Sequence, residues 1–341
     1  MTGPELTEHT VRTDGHETFY LTAGPATGPV VIFVHGWPEL SLSWRHQLAC
    51  LAGLGFRAVA PDLRGYGRST VYDRVADYAQ ERIVADMIGL IDTLGAERAV
   101  WVGHDWGSPT VWGLAAHHPE RCAAVVSLCV PYGGLDRALD LIDRRVYPAG
   151  QFPLGQWDYV AFYQENLARA IAVFEADPYL TVKALFRKGS AAARGRPAPT
   201  AFVRQAGGWF GGADVAPDIP RDADLMAEAE LRSYADALAR NGFFGPSAYY
   251  LNGEANAAYA ARAPNGGQLD LPVLFLAAEY DTVCECLDSD LAGPMKAACH
   301  NLTWQTLPAG HWLAQEKPAE VNAALVHWLA TAVPDHWPAP I

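Results

Sequence analysis

Short apolar runs bounded by turn residues alternate along most of the chain with longer segments of helical periodicity. This alternation constrains the fold strongly, because repeated strand–helix units give a mostly parallel sheet covered by helices on both faces. At one edge, the Asp14-Gly15 turn is predicted to join an antiparallel strand at 10–12 to the next strand. The other strands are predicted at 18–21, 30–35, 57–61, 99–103, 123–130, 273–278 and 302–306, and helices at 42–54, 78–94, 108–118 and 319–331.

The alternation stops between about residues 132 and 271. Helical patterns at 158–174 and 222–239 lie in this interval, together with a Gly-, Pro- and Ala-rich stretch at 189–220 that has few periodic apolar positions. We interpret the interval as a helical cap inserted between two strands of the sheet, with a long loop inside it. The predicted organisation is a first core segment at 1–132, a cap domain at 133–270 and a second core segment at 271–341.

The composition argues against several functional classes. A net charge of −13, from 38 acidic and 25 basic residues, repels nucleic acid and anionic membrane surfaces. The first residues lack the pattern of a secretory signal, and the longest apolar runs have the length of strands, so we expect a cytoplasmic protein. The six cysteines and 11 histidines show no paired spacing of metal ligands, and we predict no metal site and no cofactor.

The sharpest local motif is the predicted strand-to-helix turn at residues 103–107, Gly-His-Asp-Trp-Gly. Small residues on both sides of Asp105 let a strand and a helix approach closely around a strained central residue, which is the pattern of a nucleophile elbow. The usual occupant is serine. An aspartate favours attack on a saturated carbon, because the resulting ester keeps a carbonyl that water can attack, whereas serine would give an inert ether. Epoxide opening and carbon–halogen cleavage both fit this chemistry.

Two further segments provide partners for Asp105. His311 follows the last predicted strand, in the loop expected to return over the elbow, and is predicted to be the general base. Asp281 follows the preceding predicted strand and is predicted to orient the His311 imidazole. The order nucleophile, acid, base along the chain is that of α/β-hydrolases. The alternative acids are Glu279, Asp288 and Asp290.

Residues 35–38, His-Gly-Trp-Pro, directly follow a predicted buried strand. The backbone N–H groups of Trp37 and Trp106 are expected to converge on Asp105 and to form an oxyanion hole for the intermediate of ester hydrolysis. A cis peptide bond before Pro38 is predicted to fix the loop.

Over nearly its whole length the sequence resembles the epoxide hydrolase family of the α/β-hydrolase fold. The resemblance rests on residues 35–38, 62–69 and 103–107, and on 157–165 and 241–250 in the cap, which are similar to the segments carrying the family's two cap tyrosines. It implies an eight-stranded, mostly parallel sheet with an inserted helical cap. It also implies conversion of an epoxide to a vicinal diol through a covalent alkyl–aspartyl ester, without a cofactor.

By this resemblance the two cap tyrosines are Tyr159 and Tyr250. Phenols stay protonated at neutral pH and can donate to the oxygen of an opening epoxide. The chain departs from the family pattern at residues 248–249, Ala-Tyr instead of the usual Asn-Trp, and at Asn166, where proline is usual. The alternative tyrosines are therefore Tyr163 and Tyr249.

The same motifs are compatible with other functions. A haloalkane or haloacid dehalogenase would use the same nucleophile and base, and the Trp106 indole could bind halide. However, Trp37 stands where such enzymes often carry a halide-binding asparagine, and fluoroacetate dehalogenases typically carry arginine at the position of Trp106. A non-catalytic ligand-binding protein would not require the complete Asp-Asp-His set. The aromatic content of the cap favours a hydrophobic or aromatic epoxide as the partner, and a homodimer is one alternative for the oligomeric state.

Overall fold

The computed structural model describes residues 5–339, apart from the side chain of Asp136. Residues 1–4 and 340–341 of the two predicted core segments lie outside this range. Within it, eight strands form one sheet in the order β1-β2-β4-β3-β5-β6-β7-β8. Their bounds are β1 Thr7–Thr13, β2 His16–Ala23, β3 Val30–Val34, β4 Arg57–Pro61, β5 Ala99–His104, β6 Cys122–Leu128, β7 Leu269–Ala278 and β8 Cys299–Leu307.

The first two strands form the antiparallel edge that the sequence predicts. β1 pairs with β2 across the turn at Asp14 and Gly15, and β2 pairs antiparallel with β4. Each later pair of neighbours is parallel. The central strands are apolar on both faces, as in β3, where Val31 and Phe33 are as fully buried as their neighbour Ile32. Helices therefore cover both faces of the sheet.

The helices fall into two groups that differ in their position in the chain. Those of the core follow the strands and are α1 Arg45–Gly53, α2 Gln80–Thr93, α3 Gly107–His117, α9 Gly293–Ala298, α10 Leu313–Glu316 and α11 Pro318–Ala332. Those between β6 and β7 are α4 Asp158–Ala176, α5 Pro178–Leu185, α6 Glu228–Asn241, α7 Phe244–Ala248 and α8 Gly253–Ala260. The predicted insertion between two strands of the sheet is thus present. No helix of the described residues is long and apolar enough to cross a membrane.

Two predicted helices begin three or more residues later than the sequence pattern indicated. The helix expected at 222–239 begins at Glu228, because Glu230 accepts a hydrogen bond from the N–H of Ala227 and so closes the first turn at that point. The helix expected at 42–54 begins at Arg45, after a 3₁₀ turn at Ser41–Trp44. Neither difference moves a residue of the predicted site.

The parallel strands bring the predicted site residues to one edge of the sheet. β3, β5, β7 and β8 run in the same direction, and their carboxyl ends lie next to Trp37, Asp105, Asp281 and His311 respectively. Ligands of open α/β sheets bind in the crevice at this edge.

Candidate active site

The turn that carries Asp105 has the geometry of a nucleophile elbow. β5 ends at His104 and α3 begins at Gly107, and Asp105 adopts a left-handed conformation with φ 49°. A Cβ on Gly103 would lie 2.5 Å from the carbonyl oxygen of Gly107, and one on Gly107 would lie 2.0 Å from that of Val34. Glycine is therefore required at both positions, since any larger residue would force the strand and the helix apart.

Two neighbouring segments contact the Asp105 carboxylate. The Trp37 N–H donates to Oδ1 at 2.6 Å, and His311 Nε2 lies 3.4 Å from Oδ2. The peptide bond between Trp37 and Pro38 is cis, as the sequence predicts. Trp106 precedes the first residue of α3, so its N–H is at the end of a helix where backbone donors lack partners within the helix. The pairing of Trp37 and Trp106 as an oxyanion hole stays a prediction.

The carboxylate of Asp281 contacts the His311 imidazole, and both of its oxygens accept hydrogen bonds. Its Oδ2 accepts from His311 Nδ1 at 2.7 Å, and its Oδ1 accepts from the N–H groups of Val283 and Cys284 at 2.9 and 3.0 Å. Burial raises the pKa of this carboxyl, but the charge of His311 and these hydrogen bonds outweigh burial and lower it. Asp281 is thus a buried carboxylate, oriented to hold one tautomer and one orientation of the imidazole.

The alternative acids lie elsewhere. Glu279 and Asp288 form ion pairs with Arg194 at 3.1 and 3.2 Å, and Asp290 is exposed. Their surroundings are those of ordinary surface carboxylates, which favours Asp281.

The His311 imidazole lies between two carboxylates. Burial by itself would lower the pKa of His311, but the charge of Asp281 and hydrogen bonds to Asp105 and Asp281 raise it well above its ordinary value. Loss of the negative charge on Asp105 would therefore lower the pKa of His311.

Two tyrosines of the cap face the nucleophile. The rings of Tyr159 and Tyr250 lie 5.4 Å apart, and Tyr250 packs edge-on against Trp106 at 4.9 Å. Both side chains are buried, and burial raises the pKa of each phenol well above its ordinary value. Both hydroxyls therefore stay protonated.

The neighbouring tyrosines have different surroundings. The Tyr249 hydroxyl donates to the backbone carbonyl of Arg64 at 3.0 Å, so its proton is engaged within the core. Tyr163 stacks on Tyr250 with ring centroids 4.9 Å apart, and its buried hydroxyl has no hydrogen-bond partner between residues 5 and 339. This arrangement favours Tyr250 over Tyr249, and Tyr163 remains an alternative to Tyr159.

A cavity of about 700 Å³ reaches Asp105 from between the core and the inserted helices. Trp106, Tyr159 and Tyr250 line it, and so do residues of α3, of the loop after β6, and of α4 and α8. A small molecule can therefore reach Asp105 through this cavity.

The chain matches the model of the alpha/beta hydrolase fold over residues 29–318. It is 36% identical to epoxide hydrolase A of Mycobacterium tuberculosis, over 95% of this chain and 97% of that protein. It is 32% identical to bifunctional epoxide hydrolase 2 of Sus scrofa over 89% of this chain, but spans only about half (52%) of that longer relative. The crystal structure of epoxide hydrolase A from Mycobacterium thermoresistibile superposes with a TM-score of 0.77 at 31% identity, over 96% of this chain and 99% of the other.

The chain belongs to the epoxide hydrolase family of the α/β-hydrolase fold. The resemblance read from the motifs and the fold class are therefore confirmed, and the chain is a hydrolase of this family.

Behind the site, this family member has a buried ion pair that sequence reasoning missed. His104 Nδ1 lies 2.8 Å from Glu39 Oε2, and His104 Nε2 lies 2.7 Å from the backbone oxygen of His311. Burial lowers the pKa of His104, but the charge of Glu39 outweighs burial and raises it to about 10. The pKa of Glu39 falls to about 2, since the charge and hydrogen bond of His104 outweigh burial. The pair thus positions the backbone of His311.

Glu39 also connects the loop of Trp37 to the rest of the core. It accepts hydrogen bonds from the N–H of Gly36 at 2.9 Å and from Gln315 Nε2 at 3.1 Å. The sequence signal was a pair of ionisable residues close to the ends of two apolar strands, since Glu39 directly follows residues 35–38 and His104 is the last residue of β5. Neither residue indicates its partner, because 65 residues separate them.

Two groups of side chains in the site have the donor types of a metal site. They are His104, Cys129 and His311, and Asp281, Cys284 and His311, with ligand atoms within 4.8 Å of one another. The imidazole and carboxylate atoms already take part in the hydrogen bonds described above. Burial also raises the pKa of the Cys284 thiol well above its ordinary value, which disfavours the thiolate that a metal requires. We therefore interpret both groups as parts of the His311 network.

Proposed function

We propose that this chain hydrolyses epoxides to vicinal diols through a covalent ester on Asp105. The observation that carries the proposal is the position of the Asp105 carboxylate, with the Trp37 N–H at 2.6 Å, His311 Nε2 at 3.4 Å and two protonated phenols opposite. The names of the relatives, epoxide hydrolase A and bifunctional epoxide hydrolase 2, support the same activity.

In the first step, Tyr159 and Tyr250 donate hydrogen bonds to the epoxide oxygen while Asp105 attacks a ring carbon. The carbon–oxygen bond of the ring breaks and an ester forms on Asp105. The alkoxide takes a proton from the phenols, and the proton of the His311 imidazolium replaces it. The raised pKa of His311 supports this source of the proton, because it favours the imidazolium while Asp105 is charged.

In the second step, neutral His311 removes a proton from water, which attacks the ester carbonyl. Esterification has removed the charge on Asp105, so the pKa of His311 has fallen and the imidazole can act as a base. The N–H groups of Trp37 and Trp106 stabilise the oxyanion. The ester carbon–oxygen bond then breaks, and the leaving alkoxide takes the proton of the Asp105 carboxylic acid that results. The diol leaves, and the Asp105 carboxylate and the His311 imidazolium are both restored.

We further propose that residues 133–270 act as the cap domain and that substrate enters between it and the core segments at 1–132 and 271–341. The cavity supports this, since residues from both sides of the boundary line it. The substrate is proposed to be a hydrophobic or aromatic epoxide, because Trp106, Tyr159 and Tyr250 surround the nucleophile.

The decisive experiment incubates the purified chain with styrene oxide and measures phenylethanediol by chromatography. We expect diol formation that Asp105→Ala abolishes, whereas the control Asp290→Ala, at an exposed acid, retains it. A parallel panel of haloalkanes and haloacids measures halide release. Halide release without diol formation would show that the chain is a dehalogenase, and activity in Asp105→Ala would disprove the proposed nucleophile.

A further inference from the structure

The cavity is longer than an epoxide ring requires. Gly113 and His117 are four residues apart on one face of α3, and Trp106, directly before the helix, is seven residues before Gly113. All three line the cavity. At 1.5 Å per residue, the interval from Trp106 to His117 corresponds to roughly 16 Å along the helix. The cavity therefore accommodates a substrate that extends well beyond the reacting carbon atoms.

Gln80 lines this cavity at the junction of core and cap. It is the first residue of α2, it is 5% exposed, and its backbone N–H donates to Asn256 Oδ1 of α8 at 2.9 Å. Its side-chain Oε1 lies 3.1 Å from Thr110 Oγ1 of α3. The side-chain Nε2 is buried and has no hydrogen-bond partner in the described part of the chain. Buried amides are rarely left unpaired, so this atom requires an explanation.

The acceptor to which the Thr110 hydroxyl donates determines which polar atom of the Gln80 amide has no hydrogen-bond partner. Its Oγ1 is 3.1 Å from Gln80 Oε1 and 3.2 Å from the backbone oxygen of Trp106, and a hydroxyl donates only one proton. If it donates to Gln80, the unpaired group of the amide is its N–H. If it donates to Trp106, the amide turns over, its Nε2 donates to Thr110, and the unpaired atom is its oxygen. In both arrangements one polar atom of the amide is unpaired.

We propose that Gln80 forms a subsite for an uncharged, oxygen-bearing group of the substrate, such as a hydroxyl, an ether or a carbonyl, beyond the epoxide ring. The subsite adds a substrate preference to the proposed function, and this proposal rests on that function. Thr110 Oγ1 is within 3.2 Å of the backbone of Trp106, the residue after the nucleophile, so the subsite lies near the inner end of the cavity. An oxygenated epoxide is thus favoured over a plain hydrocarbon epoxide.

The charges around the cavity argue for a neutral group. Of the described residues that line it, those with acidic or basic side chains are Asp105, His117, Arg137 and Asp140. Burial lowers the pKa of His117, which disfavours its cationic form, and its ring stacks on Tyr259. Arg137 and Asp140 face each other at 3.6 Å, and Asp105 is the nucleophile. A carboxylate at Gln80 would have no cation beside it, whereas a hydroxyl or an ether needs only the amide.

The test compares epoxides that have equal numbers of heavy atoms but differ at the end of the chain. One pair is 6,7-epoxyheptan-1-ol and 1,2-epoxyoctane, and shorter and longer pairs locate the chain length at which the ratio of their kcat/KM values is largest. At that length we expect Gln80→Leu to lower the alcohol-to-alkane ratio about tenfold, because one neutral hydrogen bond is lost. The loss should appear for the alcohol and leave the alkane unchanged.

Gln164→Leu is the matched control, since Gln164 lines the same cavity but is exposed. It should leave the ratio unchanged. Thr110→Val removes the hydroxyl that holds the amide and should lower the ratio by a smaller factor, which provides a second variant if Gln80→Leu folds poorly. A buried water could also satisfy the amide. In that case Gln80→Leu would not change the ratio, and the proposed subsite would be refuted.

A binding measurement separates this proposal from the proposed function, because it needs no turnover. Tryptophan fluorescence, with Trp106 in the cavity wall, is titrated with 1-heptanol and its isomer 1-methoxyhexane. We expect Gln80→Leu to weaken 1-heptanol binding about three- to tenfold. Equal weakening of the ether would identify the amide N–H as the group that faces the cavity, and an effect on the alcohol alone would identify the oxygen. Unchanged affinity for 1-heptanol would refute the subsite even in a chain that hydrolyses epoxides.

Discussion

The two halves of the candidate site are held in different ways. On the core side, Asp105, Asp281 and His311 are fixed by hydrogen bonds of 2.6 to 3.0 Å from backbone and side-chain donors. On the cap side, Tyr159 and Tyr250 are fixed mainly by packing against other rings. The difference follows from charge, because a buried carboxylate or imidazolium needs directed partners, whereas a phenol needs only to remain protonated.

Burial consequently determines the pKa values in one half of the site but not in the other. In the core, opposite charges outweigh burial, so the pKa of Asp281 falls and that of His311 rises. In the cap, burial is the largest influence and raises the pKa of Tyr159 and Tyr250. Substitutions in the core should therefore disturb charge and orientation, whereas substitutions in the cap should remove only a proton donor.

The largest effect is expected from the core acid. Asp281→Asn removes the charge that orients His311, and by analogy with triads in general we expect kcat for diol formation to fall about 10³- to 10⁴-fold. Asp288→Asn, at an exposed acid of the same loop, should retain full activity. Steady-state kinetics of both variants provides the measurement. If Asp288→Asn loses activity and Asp281→Asn does not, the acid that orients His311 is Asp288 and not Asp281.

Removal of a cap phenol should have a smaller effect. Tyr159→Phe and Tyr250→Phe should each slow enzyme alkylation about 10- to 100-fold, because the second phenol still donates to the epoxide oxygen. Stopped-flow tryptophan fluorescence measures this step directly. Tyr249→Phe is the control, and it should lower stability by about 1 kcal/mol, through loss of the hydrogen bond to Arg64, without slowing alkylation. The assignment fails if Tyr249→Phe slows alkylation and Tyr250→Phe does not.

The ion pair behind His311 is expected to affect stability more than the chemical steps. His104→Ala leaves the buried charge of Glu39 without its cationic partner, and should lower the free energy of unfolding by about 3–5 kcal/mol near pH 6. The pKa of His104 is raised to about 10 in the folded chain, so its contribution is complete below pH 6.5 and is lost as the pH rises towards 10.

Urea unfolding of the wild type and of His104→Ala at pH 6, 8 and 10 tests this expectation. The difference in unfolding free energy between the two proteins should shrink as the pH rises, and titrating groups that do not interact with His104 cancel in that difference. A difference that stays constant with pH would mean that His104 is neutral in the folded chain.

The sequence could predict those parts of the site that depend on local geometry or strand order. Asp105 was found because a tight strand-to-helix turn needs glycines at 103 and 107, and His311 and Asp281 because the carboxyl ends of parallel strands meet at one edge. The choice of Tyr159 and Tyr250 depended on the family resemblance, since no spacing distinguishes them from the other tyrosines.

The remaining features depend on long-range packing, which sequence patterns do not encode. Glu39 and His104 are separated by 65 residues and meet only in the folded core. Gln80 lies in a predicted helix without any distinguishing motif, and its place in the cavity depends on how α2, α3 and α8 pack together. The late start of α6 depends on a side chain that reaches back to the backbone, which the apolar periodicity does not detect.

The covalent ester on Asp105 is the central claim, and trapping it tests the claim most directly. His311→Gln lacks the base for the second step but keeps the nucleophile, the phenols and the Trp37 N–H. Treated with styrene oxide and analysed by intact-protein mass spectrometry, this variant should gain the mass of one substrate molecule, and fragmentation should locate the adduct on Asp105. Steady diol formation by the variant without any adduct, or an adduct on another residue, would contradict the mechanism.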